Sequence, residues 1–217
     1  MRKAALGIMS IFGLAMCAFL GARSGEGPVK IHVRLVDATT GEGLAGIVRV
    51  FDKDGKPLAL PGLYPRMKGV KVPEEIAAWH VVPAAGIETS LPREAVRLEA
   101  LSGLETLVTR RGIDLSKDAP KELAVKLEQV FRPRDQYLVA GNTHLHLMKL
   151  TKEDAENYLK QIPAADRLRV MFISYLERNK DDTEYITNGY PIGDLPAFNA
   201  TGVLFNNGQE HRHNFGG

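Results

Sequence analysis

Cysteine is almost absent from this chain, and its scarcity excludes several kinds of chemistry. The only cysteine among the 217 residues is Cys17, which lies in an apolar run near the N-terminus. One cysteine forms no internal disulfide, and removal of that run would leave no thiolate for nucleophilic catalysis or zinc binding. A disulfide-stapled fold and a thiol enzyme are therefore excluded for the mature chain.

An excess of charge of either sign is also missing, since 28 Lys and Arg stand against 26 Asp and Glu. No basic block is dense enough to bind a nucleic-acid backbone, so nucleic acid is not an expected partner. A G-x-S-x-G elbow for a serine nucleophile is missing as well. The glycines of Gly41-Glu42-Gly43 and Gly216-Gly217 lack the spacing of a phosphate-binding loop.

The N-terminal segment differs in kind from the rest of the chain. Two basic residues precede the apolar run Ala4–Leu20, and small residues follow it. This pattern predicts a secretory signal peptide over residues 1–24, and hence an exported protein, periplasmic or extracellular, that leaves the membrane after cleavage. A membrane anchor is the alternative, but the run is short for a span and contains helix-weakening glycines. Met16 is bulky before Cys17, which argues against a lipoprotein.

Alternating strands dominate the next part of the chain. Val29–Asp37 has apolar side chains at every second position, and Gly46–Phe51 forms a second strand before the tight turn Asp52–Gly55. Leu60–Pro92 is rich in Pro and Gly and is predicted as irregular chain with one strand. Three further strand candidates follow: Val96–Leu101, Glu105–Arg110 and Leu123–Gln129. The pattern predicts a small antiparallel β-sandwich over residues 25–131.

Part of this region resembles a known family. The segment from Val29 to Pro57 reads strand, V-D-A-T-T-G-E-G-L-A-G, strand, D-x-D-G. It is similar to the carboxypeptidase-regulatory or transthyretin-like β-sandwich, which often precedes the catalytic domain of exported enzymes. The resemblance implies a fold for this part and little about its function.

The pattern changes after Phe131–Gln136, a charged stretch with a proline, and we place a domain boundary there. Residues 137–217 then follow the order strand, helix, strand, which is typical of a parallel α/β sheet. The predicted strands are Tyr137–Ala140, Leu168–Ser174 and Val203–Phe205. The sequence therefore predicts a multidomain protein in which a β domain precedes an α/β domain.

A helix is predicted between the first two of these strands. Thr151 is a good N-cap, and Asp154 occupies the third helical position. Apolar residues then fall near one helical stripe, and Pro163 is expected to stop the helix. The helix and its flanking strands make a βαβ unit.

Two histidines follow the first of these strands. On an extended backbone His144 and His146 project from one face, while Leu145 and Leu147 project from the other. Such a pair can chelate a metal, because neutral imidazole is a common ligand of zinc and other divalent ions. An isolated H-x-H is a weak signal, and ordinary surface histidines are the competing interpretation.

A second polar cluster, residues 206–213, follows the third strand. The carboxyl ends of parallel strands meet at one edge of a sheet, so the two clusters are expected to lie near each other. Glu210 is the candidate carboxylate ligand, and His211 and His213 are further candidates. The alternative is that both histidines of this cluster are solvated residues beside Arg212.

Residues 137–147, Y-L-V-A-G-N-T-H-L-H-L, resemble the opening strand of PHP-type (polymerase and histidinol phosphatase) metal-dependent hydrolases. They are most similar to the exported carbaryl-hydrolase-like branch, which carries G-D-x-H-x-H after a β-sandwich. The resemblance implies that His144, His146 and a strand-ending glutamate, here Glu210, bind metal. It also implies a distorted (β/α)7 barrel, one to three Zn²⁺, Mn²⁺ or Fe ions, and hydrolysis of phosphate or carboxylic esters by a metal-bound hydroxide.

The chain departs from that family at three places. Asn142 stands where the family has an acidic residue, and this change is expected to weaken the support that the residue gives to a ligand histidine. S-Y-L at residues 174–176 replaces T-D-H, so Glu177 is either a replacement ligand or half of a surface pair with Arg178. His213 is a further candidate for such a supporting role. The sequence stops after three barrel strands, whereas a (β/α) barrel needs roughly 200 residues or more, so we expect a fragment or a truncated product.

The primary interpretation is an exported hydrolase whose partner is a small-molecule ester or phosphoester. The alternative is a non-catalytic exported binding module, in which the sandwich recognises a protein or glycan and the barrel part is inactive. A metal-binding protein without hydrolytic activity lies between these two. His32 and His80 are interpreted as structural.

Overall fold

The computed structural model describes residues 27–117, 119–148, 150–175, 186–190, 195, 198 and 202–209. The signal segment predicted over residues 1–24 lies outside these ranges. Within them, no helix combines the length and the apolar character that a membrane crossing requires. The fold is β-rich, with few helices.

The strands, in chain order, are β1 (Val29–Asp37), β2 (Gly43–Leu44), β3 (Gly46–Phe51), β4 (His80–Val82), β5 (Ile87–Leu91), β6 (Ala95–Leu101), β7 (Thr109–Asp114), β8 (Glu122–Leu127), β9 (Gly141–Leu145), β10 (Val170–Tyr175) and β11 (Leu204–Gln209). The α-helices are α1 (Glu74–Ala77) and α2 (Lys152–Ala165). Short 3₁₀ turns cover Gly103–Glu105, Pro133–Gln136 and Ile186–Gly189.

Two four-stranded sheets form the first half of the chain. In the β1 sheet, strands β2, β5 and β8 all pair with β1, and in the β3 sheet the order is β4-β3-β6-β7. Every pair is antiparallel except β1 with β8, which is parallel. The prediction of a purely antiparallel domain is therefore wrong at this pair. Parallel strands need a long crossover, and here the chain supplies it by passing through the β3 sheet before β8 begins.

The two sheets bury one apolar core between them. Ile31, Val33 and Leu35 of β1 are almost wholly buried, as their alternation predicts, and so are Val48 and Leu98 of the β3 sheet. Strand β8 alternates between exposed and buried positions along its whole length. The predicted strands Val29–Asp37 and Gly46–Phe51 are confirmed at their ends as well as in their pattern.

Two expectations for this half are wrong. Glu105–Arg110 is not one strand, because its first residue closes a 3₁₀ turn and β7 starts at Thr109. The Glu105 carboxylate is held by a guanidinium of a later segment, so a tertiary contact overrides the local strand preference. The region Leu60–Pro92 contains α1 and two strands, β4 and β5, where one strand was expected.

The second half contains a three-stranded sheet, the parallel sheet, with the order β11-β10-β9. Helix α2 connects β9 to β10, so the predicted βαβ unit is confirmed. The side chain of Thr151 accepts a hydrogen bond of 3.1 Å from the backbone N–H of Asp154, as expected for the N-cap. Within the described part of the chain the parallel sheet does not close into a barrel.

The first strand of this sheet begins later than predicted. Tyr137–Ala140 is not a strand, because Pro133 opens a 3₁₀ turn that ends with Tyr137 in the left-handed conformation, at φ 56°. Leu138 then donates its N–H to the Pro133 carbonyl. The chain becomes extended and paired only at Gly141.

Helix α2 also ends later than predicted. Pro163 lies inside the last turn, and the helix continues to Ala165. Leu168 donates to the Pro163 carbonyl and Arg167 donates to the Ala164 carbonyl, with Arg167 at φ 63°. These two bonds form a Schellman motif, which caps the last carbonyls although the residue at the left-handed position is not glycine.

Helix α2 packs against two sheets at once. Ile162 and Ala165 share a buried cluster with Ile47 of β3 and Val81 of β4. The adjacent side of the same apolar stripe, including Leu159, packs with Met171, Ile173 and Phe205 of the parallel sheet, in the cluster that also holds Leu147. The helix therefore joins both halves of the described chain through apolar contacts.

Ion pairs at the C-terminal end of α2 add to this packing. A guanidinium nitrogen of Arg167 lies 2.9 Å from the Glu105 carboxylate, and both side chains are largely buried. Arg66 binds Asp166 at 2.7 Å. Both ion pairs connect the first half of the chain to the same turn, so they fix the position of the helix end.

Substitution of Gly103 by alanine should destabilise the protein by about 1–3 kcal/mol. Gly103 has φ +56°, and an added Cβ would lie 2.7 Å from the Asp166 carbonyl oxygen and 2.7 Å from Arg167 Cγ. Urea unfolding measures the effect. Gly112→Ala is the matched control, because an added Cβ there meets nothing within 4 Å. Equal free energies of unfolding for the two variants would contradict this account of the contact.

Candidate functional site

The carboxyl ends of the three parallel strands lie at one edge of the sheet. Leu145 of β9 pairs with Ile173 of β10, which pairs in turn with Asn207 of β11. In parallel α/β sheets this edge is where ligands bind, because side chains and loops from several strands converge there. The candidate histidines lie at the β9 corner of this edge.

A β-bulge shapes the end of β9. Asn142 pairs with Met171 and Leu145 pairs with Ile173, so β9 contains one more residue than β10 over this interval. The side-chain oxygen of Asn142 accepts a hydrogen bond of 2.9 Å from the backbone N–H of His144. This local bond satisfies a backbone donor where the ladder is interrupted, and bulges of this kind re-aim the side chains that follow.

The two histidines are in direct contact. His144 Nε2 lies 2.9 Å from His146 Nε2, and the ring centroids are 4.7 Å apart at an interplanar angle of 76°. His144 is exposed and His146 is half-buried. Leu145 and Leu147 pack into the α2 core on the other side of the strand. The expected arrangement, with histidines on one face and leucines on the other, is confirmed.

The spacing of the two nitrogens suits a shared metal ion. Ligand nitrogens at about 2.0–2.1 Å from one ion lie about 3.0 Å apart at a right angle and about 3.4 Å apart in a tetrahedron. The 2.9 Å distance between the Nε2 atoms is near the lower of these values. His144 and His146 therefore fit two adjacent positions of a divalent-metal site.

The remaining predicted ligands lie outside the described residues. These are Glu177, Glu210, His211 and His213. Within the described ranges, no three His, Cys, Asp or Glu side chains come close enough to hold a metal together. The full ligand set of the site thus stays a prediction.

Two buried polar groups near this edge had no place in the sequence interpretation. Asn207 Nδ2 and the Tyr190 hydroxyl are buried without a hydrogen-bond partner among the described residues. Burial, together with the charge of Glu156, raises the pKa of Tyr190 to about 12. Asn207 belongs to the predicted second cluster, but Tyr190 lies in a polar segment whose sequence gives no sign that its ring enters the α2 core.

The two histidines interpreted as structural lie far along the chain from this edge, in β1 and β4. His32 Nε2 is 3.2 Å from the Ala85 carbonyl. His80 Nδ1 is 2.7 Å from the Ala78 carbonyl, which makes that nitrogen the protonated one. Burial lowers the pKa of His80, and the bond to Ala78 only partly offsets this.

The comparisons with known proteins do not assign the chain. No protein-family model matches it, and no curated protein matches it.

His80 should make the protein less stable in mild acid. Its pKa in the folded state is lowered from the ordinary value of 6.5, so the unfolded state takes up the proton more readily. The free energy of unfolding then falls as the pH drops through the unfolded value. Between about pH 7.5 and pH 5, His80→Gln should lose less stability than the wild type. Urea unfolding at each pH measures the free energy of unfolding, with His32→Gln as the control. If His80→Gln loses as much stability as the wild type, the acid sensitivity does not come from His80.

Proposed function

We propose that the chain is an exported metal-dependent hydrolase of the PHP type that acts on phosphate or carboxylic esters. The observation that carries the proposal is the convergence of His144 Nε2 and His146 Nε2, 2.9 Å apart, at the carboxyl end of a parallel strand. Export rests on the N-terminal sequence pattern alone.

The described architecture supports this proposal at a coarse level. The β1 and β3 sheets share one core, as the two layers of a carboxypeptidase-regulatory-like sandwich would. The β9-α2-β10 unit and β11 have the strand direction and helix position expected of the first part of a distorted (β/α)7 barrel. We propose that the parallel sheet is that part.

The chain's own residues would hold the ion and keep the imidazoles aligned. His144 and His146 would bind it through Nε2, while Asn142 fixes the backbone at His144. Leu145 and Leu147 anchor the strand in the α2 core, which limits the freedom of both histidines. A bound divalent ion supplies Lewis-acid polarisation of an ester oxygen and lowers the pKa of water. Metal binding should weaken in acid, because a protonated imidazole is no ligand.

Replacement of both histidines by alanine should abolish metal retention. The purified chain is equilibrated with Zn²⁺ or Mn²⁺, desalted, and analysed for metal by mass spectrometry. We expect stoichiometric metal in the wild type and little in His144→Ala/His146→Ala, because two of the ligands are gone. His32→Ala is the matched control, since the His32 ring lies against the Ala85 carbonyl in the first half of the chain. Equal metal content in the wild type and the double variant would remove the basis of the proposal.

Asn142→Ala should weaken metal binding without removing a ligand. The change deletes the acceptor of the His144 backbone N–H, so the bulge and the His144 ring lose a local support. We expect a loss of about two- to tenfold in metal affinity, because a neutral hydrogen bond of this kind contributes about 0.5–1.5 kcal/mol. Titration calorimetry with Zn²⁺ measures the change. Asn142→Asp keeps the acceptor and adds a negative charge near the ion, so it should bind metal at least as tightly as the wild type; a similar loss in both variants would show that the hydrogen bond is not the cause.

A further inference from the structure

A cleft of about 160 Å³ lies at the end of the parallel sheet opposite to the histidines. Ala140 and Arg169, which stand directly before β9 and β10, both line it, and the Arg169 N–H donates to the Ala140 carbonyl at 2.8 Å. Glu105 and Asp37 line the side formed by the first half of the chain. The cleft is thus bounded by both halves of the protein and by the segment between them.

Four arginines line this cleft, and two of them are already neutralised. Arg132 lies 3.0 Å from Asp37, and Arg167 lies 2.9 Å from Glu105. The carboxyl of Asp37 is further engaged by the backbone N–H groups of Thr39 and Thr40. Both carboxylates are thus already paired with an arginine, although the charge of Glu105 also acts on Arg169.

Arg134 and Arg169 remain without a carboxylate or carbonyl partner for their guanidinium groups among the described residues. Glu42 and Asp135 also line the cleft, but both are exposed and form no ion pair within the described part of the chain. Both arginines thus line the same small space, and no hydrogen bond or ion pair engages their guanidinium groups within the described ranges. Each presents up to five N–H donors in a planar fork.

The charges around Arg169 also favour a bound anion. Burial lowers the pKa of Arg169, and the charges of Arg134 and Arg167 lower it further. The nearby positive charges therefore repel one another in a partly desolvated place. A bound anion would relieve this repulsion and supply acceptors for the unused N–H groups.

We propose that this cleft is a binding site for a small oxyanion, a phosphate or a carboxylate group, held by Arg134 and Arg169. Its volume of about 160 Å³ admits one such group with a few waters. The proposal does not depend on metal binding, because the cleft and the histidine pair lie at opposite ends of the parallel strands.

Calorimetric titration of the full chain with inorganic phosphate at low ionic strength tests the proposal. We expect saturable binding in the wild type and a loss of affinity of about tenfold or more in Arg169→Gln, since the variant removes a charge-assisted hydrogen bond to the anion. Arg134→Gln should weaken binding in the same direction. A parallel titration with acetate distinguishes a phosphate site from a carboxylate site; binding of either supports the proposal.

Arg111→Gln is the matched control, because Arg111 lies on β7, does not line the cleft, and donates to the Ala124 carbonyl. It should bind phosphate like the wild type. If Arg169→Gln does not fold, Arg134→Gln carries the test, since Arg134 is exposed on a 3₁₀ turn. Absence of saturable binding of both anions to the wild type, or equal affinity in the wild type and the two cleft variants, would overturn the proposal.

Discussion

The packing of α2 between two sheets is the interaction on which the rest of this structure depends. The buried residues of α2 form one wide apolar stripe, and the two sheets share that stripe. Ile162 and Ala165 contact the outer face of the β3 sheet, and Leu159 contacts the parallel sheet. Without the helix, both sheets would expose apolar surface. The ion pairs of Arg167 and Asp166 then fix its C-terminal end.

This arrangement links the first half of the chain to the candidate site. The core that holds α2 also holds Leu147, and Leu145 packs against it, so the strand end that carries the histidines is anchored through the helix. Isolation of the first half would uncover Ile47 and Val81. A domain boundary within residues 131–137 remains a prediction, but the two halves share buried surface. An assay of the first half alone would therefore test a surface that the whole chain covers.

Local sequence patterns predicted much of the fold, and tertiary contacts explain the rest. Alternation located β1 and β3, and the Thr151 cap located the start of α2. The late start of β9 depends on a 3₁₀ turn that strand propensity does not reveal. The extension of α2 past Pro163 depends on its packing. Spacing predicted the histidine pair, whereas the bulge depends on register with β10, which no local pattern encodes.

X-ray absorption at the zinc edge tests most directly whether the histidine pair is a metal centre. The account predicts that zinc bound to the wild-type chain has imidazole nitrogens at about 2.0–2.1 Å, with the outer-ring scattering that histidine ligands give. The same signal should be absent from His144→Ala/His146→Ala. A first shell without imidazole in the wild type would contradict the account and leave His144 and His146 as neighbouring surface residues.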